Sequence, residues 1–100
     1  MSGFTCISAA EAKAMIDSGT PTLVDVRDAQ SYNASHIDTA ILLDNNSVDS
    51  FIDTTAKDTP IIVYCFHGMR SQNVANFLVE KEFTNIYSMD GGYEFWRIQY

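Results

Sequence analysis

One segment constrains the fold of this chain more than any other: a run of β-forming residues that passes through a short loop directly into a helix. The strand is predicted over residues 60–65 (PIIVYC) and the helix over residues 71–83 (SQNVANFLVEKEF). Within the helix, Val74, Phe77 and Leu78 recur at the spacing of one helical face. A strand that leads directly into a helix is typical of α/β proteins.

The rest of the chain repeats this alternation. Further strands are predicted at residues 4–7, 22–26, 40–43 and 85–89, and helical segments at 9–19, 47–56 and 93–98, with a turn or short helix at 28–34. The strand at 22–26 (TLVDV) is apolar almost throughout, which is typical of a strand covered on both faces. We therefore predict an α/β fold in a single domain over residues 1–100, with a mostly parallel sheet of about five strands flanked by helices on both faces.

Local signals predict where two of the helices begin. Ser8 and Glu11 have the spacing of a capping box at the start of the first helix, and Gly19 is expected to end that helix. Ser71 is a favourable N-cap for the helix that follows Cys65.

The net charge of −7 restricts the partners of the chain. Its six basic residues are scattered along the sequence: Lys13, Arg27, Lys57, Arg70, Lys81 and Arg97. Nucleic acids require clustered Lys and Arg, so we expect no nucleic-acid partner. An anionic ligand would need a local positive site, which directs attention to basic residues beside a helix N-terminus.

The sequence favours a reduced protein of the cytoplasm. No apolar run approaches the roughly 20 residues that cross a membrane, so no membrane partner is expected. The N-terminal residues lack the basic start, apolar stretch and cleavage site of a signal peptide. Cys6 and Cys65 make a poor disulfide framework. With His36 and His67, they also match no common zinc pattern, so no metal is expected.

Cys65 is the candidate nucleophile. It ends the strand at 60–65, and parallel sheets bind their ligands beyond the carboxyl ends of the strands. Gly68 supplies the φ freedom for a tight turn. The N–H groups of such a loop and of the following helix N-terminus can surround a sulfur atom, and Arg70 would add positive charge.

The energy needed to ionise this thiol is considerable. Free cysteine titrates near 8.5, so only about 3% is thiolate at pH 7. Lowering the pKa by about two units takes roughly 2.7 kcal/mol, whereas a helix terminus supplies ~0.3–1 kcal/mol. The loop donors must therefore provide most of the stabilisation, and a thiolate held in this way is a competent nucleophile.

Several of these residues also have structural interpretations. Cys65 could be an inert buried thiol, since free cysteine is among the most buried residue types. His67 is more simply a residue of the loop or substrate rim than a general base, and His36 a hydrogen-bonded structural histidine. Cys6 is expected in the core. Three aromatic residues are also expected to anchor the core: Tyr93, Phe95 and Trp96.

The segment CFHGMRS at residues 65–71 resembles the active-site loop of the rhodanese family, the thiosulfate:cyanide sulfurtransferases. Two other segments stand in the family's order: LVDVRDAQSYNASHIDTA at 23–40 and NIYSMDGGYEFW at 85–96. The resemblance covers essentially the whole chain and extends to small single-domain bacterial members. The chain differs from common family members, which carry Glu at the position of Gln30 and Gly at those of Ser35 and Thr39.

The length of the loop separates the related activities. The related cell-division-cycle phosphatases and arsenate reductases carry Cys-x5-Arg, which fits a tetrahedral oxyanion, whereas Cys65 and Arg70 form Cys-x4-Arg. A smaller loop suits a single sulfur atom on the cysteine, so the resemblance favours sulfur transfer. The alternatives are a persulfide carrier or regulatory module and, less favoured, a cysteine phosphatase or arsenate reductase.

The resemblance implies a double displacement, in which Cys65 takes the outer sulfur of thiosulfate as a persulfide and passes it to an acceptor. Cyanide, a dithiol or a thioredoxin-like protein could be that acceptor, and no metal or organic cofactor is implied. Arg70 would hold the departing sulfite, and Arg27 would support the site by pairing with Asp25 or Asp28. The substrate-binding residues would be Phe66, His67, Gly68, Met69, Arg70 and Ser71.

Overall fold

The alternation of strand and helix in the sequence forms a five-stranded parallel sheet. The computed structural model describes residues 3–19 and 21–100. Its elements are β1 (Phe4–Ile7), α1 (Ala9–Ser18), β2 (Thr22–Asp25), α2 (Ala29–Ala34), β3 (Ile41–Leu42), α3 (Val48–Thr54), β4 (Ile61–Tyr64), α4 (Arg70–Glu80), β5 (Ile86–Met89) and α5 (Gly92–Gln99). The strand order is β1-β5-β4-β2-β3, and every pairing is parallel. The predicted α/β fold is confirmed.

The central strand β4 supplies side chains to both faces of the sheet. All four of its residues are fully buried, as its apolar sequence predicts. Ile61 and Val63 belong to the core beneath α3 and α4. Ile62 and Tyr64 point to the opposite face, into the core beneath α1 and α5. This alternation is the two-residue period of a strand. The carboxyl end of β4 lies at the edge of the sheet, between the helical layers that cover its two faces.

The two cores confirm that helices cover both faces of the sheet. On one face, Phe51 of α3 and Leu78 of α4 pack in the same buried cluster. On the other face, Ala12 of α1 and Tyr93 of α5 form part of a second cluster. No helix within the described parts of the chain is long and apolar enough to cross a membrane.

The first helix begins and ends where its signals predict. The Ser8 hydroxyl accepts a hydrogen bond from the Glu11 N–H at 3.0 Å, and the Glu11 carboxylate accepts one from the Ser8 N–H at 2.8 Å. This confirms the capping box. Gly19 is the C-cap, and its N–H donates to the Met15 carbonyl at 3.0 Å.

The start of α4 differs from the prediction. Met69 occupies the N-cap position, and the predicted N-cap, Ser71, lies inside the first turn. Ser71 cannot cap the helix because its hydroxyl is fully buried against Ser88 instead. Its N–H is directed to the sulfur of Cys65.

The end of α4 also comes earlier than predicted. Glu82 has a φ of 76°, in the left-handed region, so the helix cannot continue through it. The N–H of Phe83 then donates back to the Leu78 carbonyl at 3.2 Å, which turns the chain toward β5.

Two of the residues predicted for the core lie at the surface. Cys6 is exposed because β1 is an edge strand, paired only with β5. Phe95 is 48% exposed because α5 turns Tyr93 and Trp96 toward the core and Phe95 away from it. Tyr93 is buried as predicted, whereas Trp96 is only partly buried.

Candidate active site

Cys65 lies at the carboxyl edge of the sheet, directly after β4 ends at Tyr64. The residue is only 4% exposed, but it lines an open pocket of about 300 Å³. The other residues that line this pocket are Arg27, Asp28, Phe66, His67, Met69 and Arg70. The nucleophile predicted from the sequence is therefore at a ligand-sized opening and not sealed within the core.

Backbone donors surround the Cys65 sulfur. The Gly68 N–H lies 3.1 Å from Sγ and the Ser71 N–H 3.3 Å from it, both within hydrogen-bond distance. Gly68 has a φ of 99°, which confirms that the tight turn uses glycine's access to left-handed conformations. Because Ser71 belongs to the first turn of α4, one of the two donors comes from the N-terminus of that helix.

The carbonyl groups of the loop are held away from the sulfur by α5. The Tyr93 N–H donates to the Cys65 carbonyl at 2.7 Å, and the Glu94 N–H donates to the Phe66 carbonyl at 3.1 Å. A Cβ at Gly92 would lie 2.4 Å from the Phe66 carbonyl, so this contact requires glycine. The N-terminus of α5 thus holds the Cys65 and Phe66 carbonyl groups on one side of the loop, and the N–H groups of the loop are left to face the pocket.

The hydroxyl of Ser71 is part of a buried pair. Ser71 Oγ lies 2.8 Å from Ser88 Oγ of β5, and both residues are fully buried. The Ser71 N–H donates to the Cys65 sulfur, and the nearby Ser71 hydroxyl acts to lower the pKa of Cys65.

These contacts make Cys65 more acidic than free cysteine. Burial acts to raise the pKa of Cys65, but hydrogen bonds from the Ser71 hydroxyl and from the N–H groups of Ser71, Gly68 and His67 outweigh it, so the pKa is lowered. Cys6 behaves in the opposite way, because desolvation and the Asp90 carboxylate raise its pKa. The two thiols therefore differ in reactivity.

Arg27 pairs with Asp25 rather than with Asp28. The Arg27 Nη2 lies 2.7 Å from Asp25 Oδ2, and the Arg27 side chain is 3% exposed. The guanidinium also lies 4.3 Å from the centroid of the Tyr93 ring. Asp28 caps α2 instead, accepting the Ser31 N–H at 3.0 Å. Arg27 is thus a fixed, buried cation beside the Cys65 pocket.

The rim of the pocket is exposed and mixed in character. Met69 is 79% exposed and Phe66 37%, and His67 also faces solvent. Arg70 is the first residue of α4, and its side chain makes no hydrogen bond or ion pair within residues 3–19 and 21–100. A free guanidinium beside the nucleophile is available to an anion.

Sequence reasoning missed the contributions of Ser88 and Gly92. A serine in the middle of an otherwise apolar strand could have indicated a buried hydrogen bond. The paired glycines at 91 and 92 could have indicated a close approach of two backbones. The described residues contain no group of three or more His, Cys, Asp or Glu side chains that could hold a metal ion.

Comparison with known sequences identifies close relatives. A family model described as Rhodanese-like domain matches residues 8–99. A protein of Pseudomonas entomophila is 47% identical over 100 residues, which cover 100% of this chain and 91% of that protein. A protein of Pseudomonas savastanoi pv. phaseolicola is 43% identical, covering 100% of this chain and 93% of that protein. Both are named Thiosulfate sulfurtransferase GlpE.

Solved structures have the same fold. The solution structure of the rhodanese-like domain of the Alr3790 protein from Anabaena superposes with a TM-score of 0.84 at 26% identity, covering 99% of this chain and 76% of that one. A rhodanese-like domain protein of Staphylococcus aureus has a TM-score of 0.81 at 22% identity, covering 92% of this chain and 90% of that one.

Proposed function

The chain belongs to the rhodanese family and is a thiosulfate sulfurtransferase; from that premise, we propose that Cys65 carries the transferred sulfur as a persulfide. One observation supports this role above all others: the Cys65 sulfur accepts the N–H groups of Gly68 and Ser71 at the mouth of an open pocket. Cys6 lies on the edge strand and has no comparable donors within the described residues.

In the first half-reaction, the Cys65 thiolate attacks the outer sulfur of thiosulfate. A bond forms between Sγ and that sulfur, the bond between the two thiosulfate sulfurs breaks, and its electron pair leaves with sulfite. The lowered pKa of Cys65 supplies the thiolate without a general base. His67 accordingly has a place on the pocket rim and no proton-transfer role.

Free backbone donors support the persulfide that results. The N–H groups of Phe66, Met69 and Arg70 make no backbone hydrogen bond within the described parts of the chain. They flank the pocket into which the transferred sulfur projects. Donors already in place for a developing anion stabilise it without reorganisation.

The two arginines beside the pocket have different tasks. Arg70 has a free, exposed guanidinium and is suited to binding the oxygen atoms of thiosulfate and the departing sulfite. Arg27 is committed to Asp25 and stays buried, so it holds the β2 end of the site in place and supplies a fixed positive charge.

In the second half-reaction, a thiophilic acceptor removes the sulfur. Cyanide, a dithiol or a thioredoxin-like protein each satisfies the chemistry, and the exposed rim of Phe66 and Met69 gives such a partner an apolar contact. Both cysteines are free thiols, and free thiols persist in a reducing compartment, so we place the protein in the cytoplasm.

Steady-state formation of thiocyanate tests this function. Varying thiosulfate at several fixed cyanide concentrations should give the parallel double-reciprocal lines of a double displacement. Arg70→Ala should raise the KM for thiosulfate several-fold, whereas Lys81→Ala, at the other end of α4, should leave it unchanged. Intersecting lines, or an Arg70→Ala enzyme with unaltered kcat/KM for thiosulfate, would contradict the proposed roles.

A further inference from the structure

A second cavity of about 500 Å³ adjoins the Cys65 pocket and shares Arg70 with it. Neither half-reaction described above uses this cavity. It is lined by Val26, Leu43, Asp44, Asn45, Val48, Arg70, Asn73, Val74 and Phe77. We call it the α4 groove.

One wall of the α4 groove is a single face of a helix. Arg70, Val74 and Phe77 recur at the i, i+4, i+7 spacing of one helical stripe. At 1.5 Å per residue, the stripe runs for roughly 10 Å from Arg70 to Phe77. Leu43, directly after β3, and Val48 of α3 also line the groove. The groove therefore extends from the junction with the Cys65 pocket toward the middle of α4.

The lining of the α4 groove is mixed: five residues are apolar, and the four polar ones are Asp44, Asn45, Arg70 and Asn73. Val26 and Leu43 are 3% and 6% exposed and belong to the same core cluster, with Val48 and Val74 packed against it. Two charged residues lie among them. Arg70 has no partner in the described chain, while the Asp44 carboxylate accepts the N–H groups of its own loop at 2.9 and 3.1 Å. A groove with an apolar stripe, two amide side chains and one charge of each sign in its lining suits an occupant with an aliphatic chain and no net charge.

We propose that the α4 groove binds the body of a low-molecular-weight thiol that accepts the sulfur from Cys65. The thiol group would enter the Cys65 pocket past Arg70, and an uncharged aliphatic chain would lie along the helix. A groove roughly 10 Å long accommodates a chain of about six carbons. This inference rests on the proposed function, because it requires a persulfide on Cys65.

The transfer step balances without a further reactant. The acceptor thiol gives its proton to solvent, and its thiolate attacks the outer sulfur of the persulfide. A bond forms between the acceptor sulfur and the transferred sulfur, and the bond from that sulfur to Cys65 Sγ breaks. Cys65 returns to the thiolate state that its surrounding N–H groups stabilise.

A homologous series of thiols tests the proposal with the wild-type enzyme. The probes are ω-mercaptoalkanols with chains of two to six carbons, used as acceptors with thiosulfate as donor. Each added methylene that enters the groove should raise kcat/KM for the acceptor by up to about three- to fourfold. A flat series would overturn the proposal.

A matched pair of variants locates the effect. Phe77→Ala, at the far end of the groove, should reduce the preference for six carbons over two by about threefold or more. Phe95→Ala removes an aromatic ring of similar exposure on α5 and should leave that preference unchanged. An equal effect of both substitutions would also overturn the proposal.

The thiol series distinguishes the proposed role of Cys65 from the proposed role of the α4 groove. Failure of the enzyme to take up sulfur from thiosulfate would contradict the role of Cys65 itself. Uptake of sulfur and its normal discharge to cyanide, combined with no dependence on chain length, would contradict the α4 groove alone.

Discussion

The hydroxyl oxygens of Ser71 and Ser88 lie 2.8 Å apart, in a pair that is fully buried beside the Cys65 sulfur. Ser71 contacts the sulfur directly, and Ser88 acts on it only through Ser71. Either hydroxyl can donate in this pair, and when Ser88 is the donor the Ser71 hydroxyl proton is free for the thiolate. Strand β5 thus contributes to a site whose other donors come from the β4–α4 loop.

Removal of these hydroxyls should raise the pKa of Cys65. A hydrogen bond to a charged group contributes about 1.5–3 kcal/mol, so Ser71→Ala should raise the pKa of Cys65 by about one to two units. Ser88→Ala should raise it by less, because its effect is indirect. Titration of the thiolate absorbance in a Cys6→Ser background measures both shifts. Ser47→Ala removes a hydroxyl from the α3 N-terminus and should produce no shift.

The same ionisation governs the pH dependence of activity and stability. Because the pKa of Cys65 is lowered in the folded protein, kcat/KM for thiosulfate should rise with pH through a midpoint below the value of about 8.5 for free cysteine. The folding stability due to ionised Cys65 is fully present above the unfolded pKa and is lost as pH falls through the folded pKa. Urea unfolding of the wild type and Cys65→Ser across this range should show their difference shrinking toward low pH.

The buried ion pair beside the pocket should be more important for stability than the neighbouring helix cap. Asp25→Ala leaves the Arg27 guanidinium buried without its partner, which typically costs about 3–5 kcal/mol. Asp28→Ala removes only the N-cap of α2 and should cost about 1 kcal/mol. Denaturant unfolding measures the free energy of unfolding of the two variants. Equal losses would show that Asp25 is not the partner that stabilises the buried Arg27.

Thr39 and Glu82 occupy left-handed backbone conformations, and glycine should stabilise the fold at both positions. Thr39 has a φ of 71° and Glu82 a φ of 76°. A side chain costs roughly 1–2 kcal/mol there, and glycine's greater unfolded entropy offsets about 0.5–1 kcal/mol of the gain. Each substitution to Gly should therefore raise the free energy of unfolding by about 0.5–1 kcal/mol.

Ser35 is the control for this prediction. Ser35 has an extended φ of −172°, which any residue adopts, and its hydroxyl bonds the Tyr93 hydroxyl. Ser35→Gly should therefore destabilise the protein by about 1 kcal/mol. A stabilising Ser35→Gly would show that backbone strain is not what distinguishes the three positions.

Gly92 should be required for the geometry of the Cys65 loop. A methyl group there would lie 2.4 Å from the Phe66 carbonyl and at a φ of 63°, so Gly92→Ala must displace the loop from α5. A misplacement near 1 Å can reduce kcat/KM by up to about 100-fold. Gly19→Ala, where the nearest contact is 3.6 Å from the Met15 carbonyl, should leave kcat/KM unchanged.

Sequence reasoning reached the fold and the centre of the site because both depend on local signals. The apolar run of β4, the glycine at 68 and the helical spacing of α4 are read within a single segment. The position of Cys65 at the sheet edge then follows from the topology of parallel sheets.

The parts that were missed depend on tertiary neighbours. Ser88 matters because β5 lies next to β4, which places its hydroxyl against Ser71. The exposure of Cys6 follows from the position of β1 at an edge, which the order of strands along the chain does not reveal. The choice of Asp25 over Asp28 required side-chain directions, since both carboxylates lie within two residues of Arg27.

The mass of the intact protein after incubation with thiosulfate tests the central claim most directly. We predict that the wild type and Cys6→Ser each become heavier by one sulfur atom, which maps to the Cys65 peptide and is removed by cyanide. Cys65→Ser should gain no mass and form no thiocyanate. A Cys65→Ser protein that takes up sulfur and yields thiocyanate at the wild-type rate would contradict the account.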